Sequence, residues 1–214
     1  MGLSVVAAPS RRVARPGAEF VGLARIFRET VRVADEQMER ALQVITAPLR
    51  SRVKHHHKLR WEQIAQAERL YRIGVPTAFR IGAVEVTRDR AAFSIRERRI
   101  CPVWMKNTAW DDDEYHEPGV ALASYVMQLA DGTFSERWPV QAIVSLHALS
   151  RHFERTGNRD HGVLVDDIAV LADASEDQDK VPTPTGYFWL GGMMAMRGPK
   201  QQGPVRAVRT LVIE

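Results

Sequence analysis

A regular spacing of apolar residues between positions 20 and 45 is the feature that most constrains the fold. The residues recur at steps of three and four, which places them on one face of a helix about seven turns long. They are Phe20, Leu23, Phe27, Val31, Ala34, Met38, Ala41 and Ile45. Pro48 predicts the end of this helix near Ala47, because proline disfavours a helical backbone at the residue before it.

A second helix is predicted over about residues 59–73, followed by the helix-stopping residues Gly74 and Pro76. Its recurring apolar positions are Trp61, Ile64, Ala67 and Tyr71. We expect residues 1–17 to form a flexible basic arm, residues 18–75 a helical hairpin and residues 76–214 an α+β domain. The hairpin is expected either to stand alone or to join that domain.

The pattern after Pro76 changes to short apolar runs that predict strands. Asp131-Gly132 is typical of a hairpin turn, and Ser145 and Gly157 are typical caps of a helix over 146–155. A further short helix is predicted over 163–171. The predicted strands cover 78–86, 92–100, 124–129, 133–138, 187–196 and 205–213. The predicted fold class is therefore α+β, with an N-terminal helical hairpin followed by an antiparallel β-sheet and two further helices.

The charges are unevenly distributed along the chain. Its 30 basic and 26 acidic residues give a net charge of +4, yet residues 1–100 contain 20 of the basic and only 10 of the acidic ones. A cationic turn between the two predicted helices suits RNA or another anionic partner. The predicted nucleic-acid-binding residues are Arg50, Arg52, Lys54, Lys58 and Arg60. The alternative is that the basic half packs against the acidic half.

Two clusters of residues suggest a metal site and one cysteine suggests thiol chemistry, but the sequence around them favours neither. Three successive histidines at 55–57 cannot all face one ion on a helix, and the acidic run 111–117 lacks the ligand spacing of a calcium loop. Cys101 is the single cysteine, which excludes an internal disulfide and predicts a buried apolar residue. We therefore predict no metal and no cofactor.

The predicted helix over 146–155 contains the candidate catalytic residues. On a helix, His147, Arg151 and Arg155 lie at i, i+4 and i+8 and form one ridge, away from the apolar face. Histidine can transfer a proton while two arginines bind a phosphodiester. The alternative is an amphipathic surface helix with a solvated cationic side.

The stretch His147-Ala-Leu-Ser-Arg151, with Arg155 and the final strand around Val208-Arg209-Thr210, resembles RelE/BrnT-like and related bacterial ribonuclease toxin domains. The resemblance covers about residues 142–213. It implies metal-independent RNA cleavage in which His147 carries the proton, Arg151 and Arg155 clamp the phosphate, and Thr210 positions the substrate by a hydrogen bond.

Two further function classes fit the sequence. One is a non-enzymatic module that binds nucleic acid or protein through the basic hairpin, including a homodimer formed through the helix at 18–47. The other is a secreted bacterial effector, suggested by the N-terminal arm. No apolar run approaches the roughly 20 residues that cross a bilayer, so we expect no membrane span. In the N-terminal arm the basic residues Arg11, Arg12 and Arg15 follow the short apolar stretch, whereas a secretory signal has its basic residues first, so we expect a cytoplasmic location.

Overall fold

The structure, a computed structural model, describes residues 16–54, 61–89, 92–107, 117–130, 133–174, 178–197 and 205–212. Its helices are α1 (Ala18–Lys54), α2 (Trp61–Gly74), α3 (Leu146–Thr156) and α4 (His161–Ala169), the last followed by a 3₁₀ turn (Val170–Ala172). Its strands are β1 (Arg80–Arg88), β2 (Ala92–Asn107), β3 (Glu117–Ala130), β4 (Thr133–Arg137), β5 (Val140–Ser145), β6 (Lys180–Thr183), β7 (Gly186–Arg197) and β8 (Val205–Val212). The α+β class is confirmed.

The strands form one sheet whose path closes on itself. The order is β1-β2-β3-β5-β8-β7-β6, β4 pairs with β3, and β2 also pairs with β7. Strands β2, β3, β5, β8 and β7 therefore form a closed ring. The prediction of a purely antiparallel sheet is wrong, because β5 and β8 are parallel neighbours. The chain between β5 and β8 passes through α3, α4, β6 and β7. This long crossover brings the chain back to the end of the sheet where β5 began, so that β8 can run parallel to β5.

The alternation of side chains along the ring strands creates two apolar layers. One cluster has only ring-strand residues as its buried members, namely Cys101, Val103, Met105, Ala121, Ala123 and Ile143. Cys101 is fully buried in it, as predicted. Gly119 lies beside this layer, and a Cβ there would come within 2.5 Å of the Val144 carbonyl oxygen. Small side chains on β3 therefore permit the close packing of this layer.

Helix α1 packs against the sheet and contributes to two core clusters. Its first half supplies Ala24, Phe27 and Val31 to the first cluster, which also contains residues of α3, α4 and all five ring strands. Its second half contributes to the second cluster, together with α2, β2 and β3. The predicted apolar stripe is thus confirmed as the buried face of α1.

The predicted end of this helix near Ala47 is wrong, because α1 continues through Pro48 to Lys54. Proline cannot donate the helical hydrogen bond to the carbonyl of Val44. Leu49, only 5% exposed, packs in the second cluster immediately after the proline. This tertiary packing outweighs the local cost of proline and keeps the last turns helical.

A buried ion pair fixes the passage from α2 to β1. Arg99 is 2% exposed and donates hydrogen bonds of 2.8 Å to Glu97 and to the carbonyls of Pro76 and Ala78. Glu97 also accepts a hydrogen bond of 2.7 Å from Arg80. These bonds hold the segment after α2 against β2.

Several local predictions are confirmed, whereas two strands were not predicted. β3 and β4 are antiparallel neighbours, with Ala130 paired to Thr133, and α3 begins after Ser145 and ends before Gly157; residues 131–132 themselves lie outside the described ranges. Strands β5 and β6, with six and four residues, lie outside the strands that the sequence predicts. Among the helices of the described ranges, none combines the length and hydropathy needed to cross a lipid bilayer.

Candidate functional site

The ridge predicted on the 146–155 helix lies on α3, whose two ends are capped by its own sequence. The Ser145 side chain accepts a hydrogen bond of 3.1 Å from the Ala148 amide. Gly157, in the left-handed conformation at φ 63°, donates to the Phe153 carbonyl. Because Leu149 and Phe153 are buried in the first cluster, the rotation of α3 about its axis is fixed.

The three ridge residues differ in their surroundings. Arg155 is exposed, His147 is half-buried, and Arg151 is only 7% exposed. Arg151 forms an ion pair with Glu154, whose other carboxylate oxygen accepts a hydrogen bond of 3.4 Å from the Gly17 amide. Arg151 therefore belongs to a contact that ties the end of α3 to the start of α1.

The surroundings of His147 favour its neutral form. Burial lowers the pKa of His147, and the positive charges of Arg151 and Arg155 lower it further, against a weaker opposing effect of Glu154. A neutral imidazole can accept a proton at pH 7, as a general base requires.

Thr210 lies on β8, where the backbone register is known. Val208 lies beside Val144 of β5, and Thr210 lies opposite Trp189 of β7. Two residues beyond Val208, Thr210 is therefore level with the end of β5, where α3 begins. The side chain of Thr210 is outside the described part, so its approach to His147 stays a prediction.

The predicted basic surface is described only in part. Arg50 forms an ion pair with Glu136 of β4, and Arg52 is exposed. The side chain of Lys54, and the whole of Lys58, Arg60 and His55–His57, lie outside the described residues. Residues 108–116, which include most of the acidic run at 111–117, also lie outside the described residues. Within the described ranges no group of three metal-binding side chains occurs.

An open groove of about 270 Å³ lies between α1 and α2. Its lining residues are Val44, Ile45, Pro48, Leu49, Arg52, Gln63, Gln66, Ala67 and Leu70. The floor of the groove consists of the buried core residues Ile45, Leu49 and Ala67. Its walls include exposed apolar side chains, since Val44 is 71% exposed and Leu70 is 43% exposed. Ile73, one turn after the groove residues of α2, is 78% exposed. The sequence prediction did not include this surface. The signal for it was that Val44 and Ile73 are apolar residues that lie away from the buried faces of α1 and α2.

A second feature that sequence analysis missed is a buried polar group between α3 and α4. His152 and Asp167 are both fully buried, and His152 Nε2 donates to Asp167 Oδ2 at 2.6 Å. Thr185 in the β6–β7 turn donates to the same carboxylate through its hydroxyl and its amide. His152 Nδ1 is buried and has no hydrogen-bond partner among the described residues. The sequence signal for this polar group was Asp167, an acidic residue within the largely apolar segment 163–171.

The charge on Asp167 is stabilised by its donors. Burial opposes that charge, but the hydrogen bonds from His152 and Thr185 outweigh it and hold the pKa of Asp167 below its usual value. A lowered carboxyl pKa contributes stability above the unfolded-state pKa of about 3.9, and this contribution disappears as the pH falls through the folded-state pKa.

We expect Asp167→Asn to lower the free energy of unfolding by about 3 kcal/mol at pH 7, because it removes the charged partner of a buried histidine. The difference from the native chain should shrink below about pH 4. Urea unfolding at several pH values measures it, with exposed Asp166→Asn as the matched control. Equal effects of the two variants at pH 7 would contradict a stabilising role for the Asp167 carboxylate.

Comparison with known proteins gives no relative from which a role for these residues could be transferred. No protein-family model matches the chain, and searches of curated proteins and of solved structures found no similar protein. The resemblance to RelE/BrnT-like toxin domains, based on His147, Arg151, Arg155 and Thr210, therefore stays a prediction.

Proposed function

We propose that this protein is a non-enzymatic binding module whose α1–α2 hairpin contacts a protein partner. The observation that supports this proposal is the open groove between the two helices, with the exposed side chains of Val44 and Leu70 in its walls. Exposed apolar surface that lies together in a concave site is typical of interaction sites rather than of solvated helix faces.

The surroundings of the groove favour a protein over a nucleic acid. A phosphate backbone is held by several cations, whereas the groove is lined by apolar and amide side chains and one arginine. Among the described arginines of the hairpin and its neighbouring strands, Arg50 pairs with Glu136, and Arg72 and Arg88 both pair with Glu68. A partner with its own apolar face matches this composition better.

Site-specific photo-crosslinking tests the proposal. A benzoylphenylalanine at Gln66, which lines the groove, should crosslink to protein in the cells that produce this chain. The same group at Ala65 is the matched control, because Ala65 is also exposed but points about 100° away around α2.

We expect the yield at position 66 to exceed that at position 65 by roughly tenfold, since the crosslinker reacts only with nearby atoms. Mass spectrometry of the products identifies a foreign protein or a second copy of this chain. Equal yields at both positions, or no protein product at position 66, would contradict the proposal.

A second candidate function is metal-independent RNA cleavage at α3, where His147 lies on one ridge with Arg151 and Arg155 and has a lowered pKa. His147 would remove the ribose 2′-hydroxyl proton, so that the 2′-oxygen attacks the adjacent phosphorus, and an acid would then protonate the leaving 5′-oxygen. Arg155, exposed on the same ridge, would stabilise the developing phosphate charge. Arg151 would have to exchange Glu154 for the phosphate.

For this second candidate, His147→Ala should reduce cleavage of single-stranded RNA by roughly 100-fold or more, because it removes the proton carrier. Circular dichroism should show an unchanged fold. Arg159→Ala, which changes a 71% exposed arginine beyond α3, is the control and should cleave normally. Equal cleavage by the His147 variant and the native chain would exclude this mechanism.

A further inference from the structure

We infer that this protein forms a dimer in which the outward face of α1 packs antiparallel against the same face of a second copy. This inference goes beyond the proposed function, because it concerns the side of α1 that points away from the core and not the groove beside α2. It follows from the exposed apolar residues on that side, from their spacing and from the order of the charges between them.

Three large apolar residues of α1 are exposed on one side of the helix. Ile26 is 58% exposed, Val33 is 42% exposed and Val44 is 71% exposed. At about 100° per residue, Val33 lies within about 20° of Ile26, and Val44 lies on the same side as Ile26. The buried residues Val31 and Leu42 lie about 150° away around the helix. The helix therefore has a second apolar line that the core does not cover.

The residues between these three continue the line with the spacing of a helix–helix seam. Successive members are three or four residues apart, as are the a and d positions of a coiled coil. All of them are exposed or partly exposed. This outward row consists of Gly22, Ile26, Glu29, Val33, Glu36, Arg40, Val44 and Ala47. It is about 38 Å long, and the whole of it lies in the described part of α1.

The outward row is complementary to itself when two copies run in opposite directions. With Glu29 facing Arg40 of the second copy, apolar residues meet apolar residues and small residues meet small ones. The facing positions are Gly22 with Ala47, Ile26 with Val44, Glu29 with Arg40, and Val33 with Glu36. Each pair occurs twice, because the two copies are related by a twofold axis.

The charges of the outward row favour the antiparallel direction. Arg32 donates hydrogen bonds to both Glu29 and Glu36 of its own helix, so that one arginine serves two carboxylates. Arg40 of the second copy gives Glu29 a further cation. Two parallel copies would instead place Arg40 against Arg40 and Glu29 against Glu29, and like charges in contact oppose association.

The charged residues at the edge of the outward row do not oppose this pairing. Exposed Arg25 comes beside the neutral Gln43 of the second copy. Near the twofold axis each Glu36 keeps its ion pair with Arg32, so the two copies bring equal numbers of positive and negative charges there.

Crosslinking tests the direction of the pair. The variants Ile26→Cys and Val44→Cys each introduce one exposed thiol, whereas the native Cys101 is fully buried. A short bismaleimide should link an equal mixture of the two variants roughly tenfold better than either variant alone. The reason is that positions 26 and 44 face each other, while two copies of either position lie at least about 25 Å apart.

Sedimentation equilibrium tests the charges, over a concentration range from about 1 to about 300 µM that includes weak association. The native chain should approach the mass of a dimer at the upper end. Glu29→Arg or Arg40→Glu should each weaken dimerisation roughly tenfold, since two ion pairs become two contacts between like charges. The double variant Glu29→Arg/Arg40→Glu should restore it, because it exchanges the charges of each pair.

The variants change exposed residues and should fold normally by circular dichroism. The inference is overturned if the native chain stays monomeric over the whole range, if Ile26→Cys alone crosslinks as well as the mixture, or if the double charge variant associates no better than the single ones.

Discussion

Helix α1 packs a single apolar stripe against two separate clusters, and the positions of the other helices depend on this contact. Its first half covers the sheet together with α3 and α4, and its second half holds α2 over β2 and β3. Since one rigid helix spans both clusters, the register of its stripe determines where the α1–α2 hairpin lies relative to the ring of strands. Phe27 and Met38, both fully buried, mark the two halves.

Helix α1 also forms one wall of the groove. Its stripe faces the core, so that Val44 and Pro48 fall on the side next to α2, where the two helices do not close over Ile45 and Leu49. Continuation through Pro48 brings Arg52 into the wall. On α3, by contrast, the proposed phosphate ridge is interrupted by the ion pair between Arg151 and Glu154. The hairpin therefore offers the more complete interaction surface.

Features fixed by local sequence were predictable, and those fixed by distant contacts were not. The stripe of α1, the caps of α3 and the pairing of the consecutive strands β3 and β4 depend on residues a few positions apart, and all three are confirmed. Helix continuation past Pro48 depends on packing of Leu49, and the parallel pairing of β5 and β8 depends on a long crossover. The groove likewise requires the placement of two helices. The ridge on α3 could be predicted, but not the burial of Arg151.

If the exposed apolar residues of the hairpin serve binding, as proposed, they do not stabilise the fold. Thermal unfolding of a Val44→Ser/Ile73→Ser double variant tests this, with Leu42→Ser on the buried face of α1 as the reference. We expect the double variant to lie within about 0.5 kcal/mol of the native chain, as for other surface changes, and Leu42→Ser to lose about 3 kcal/mol. A comparable loss in the double variant would show that these side chains belong to the core, which would contradict the proposed binding surface.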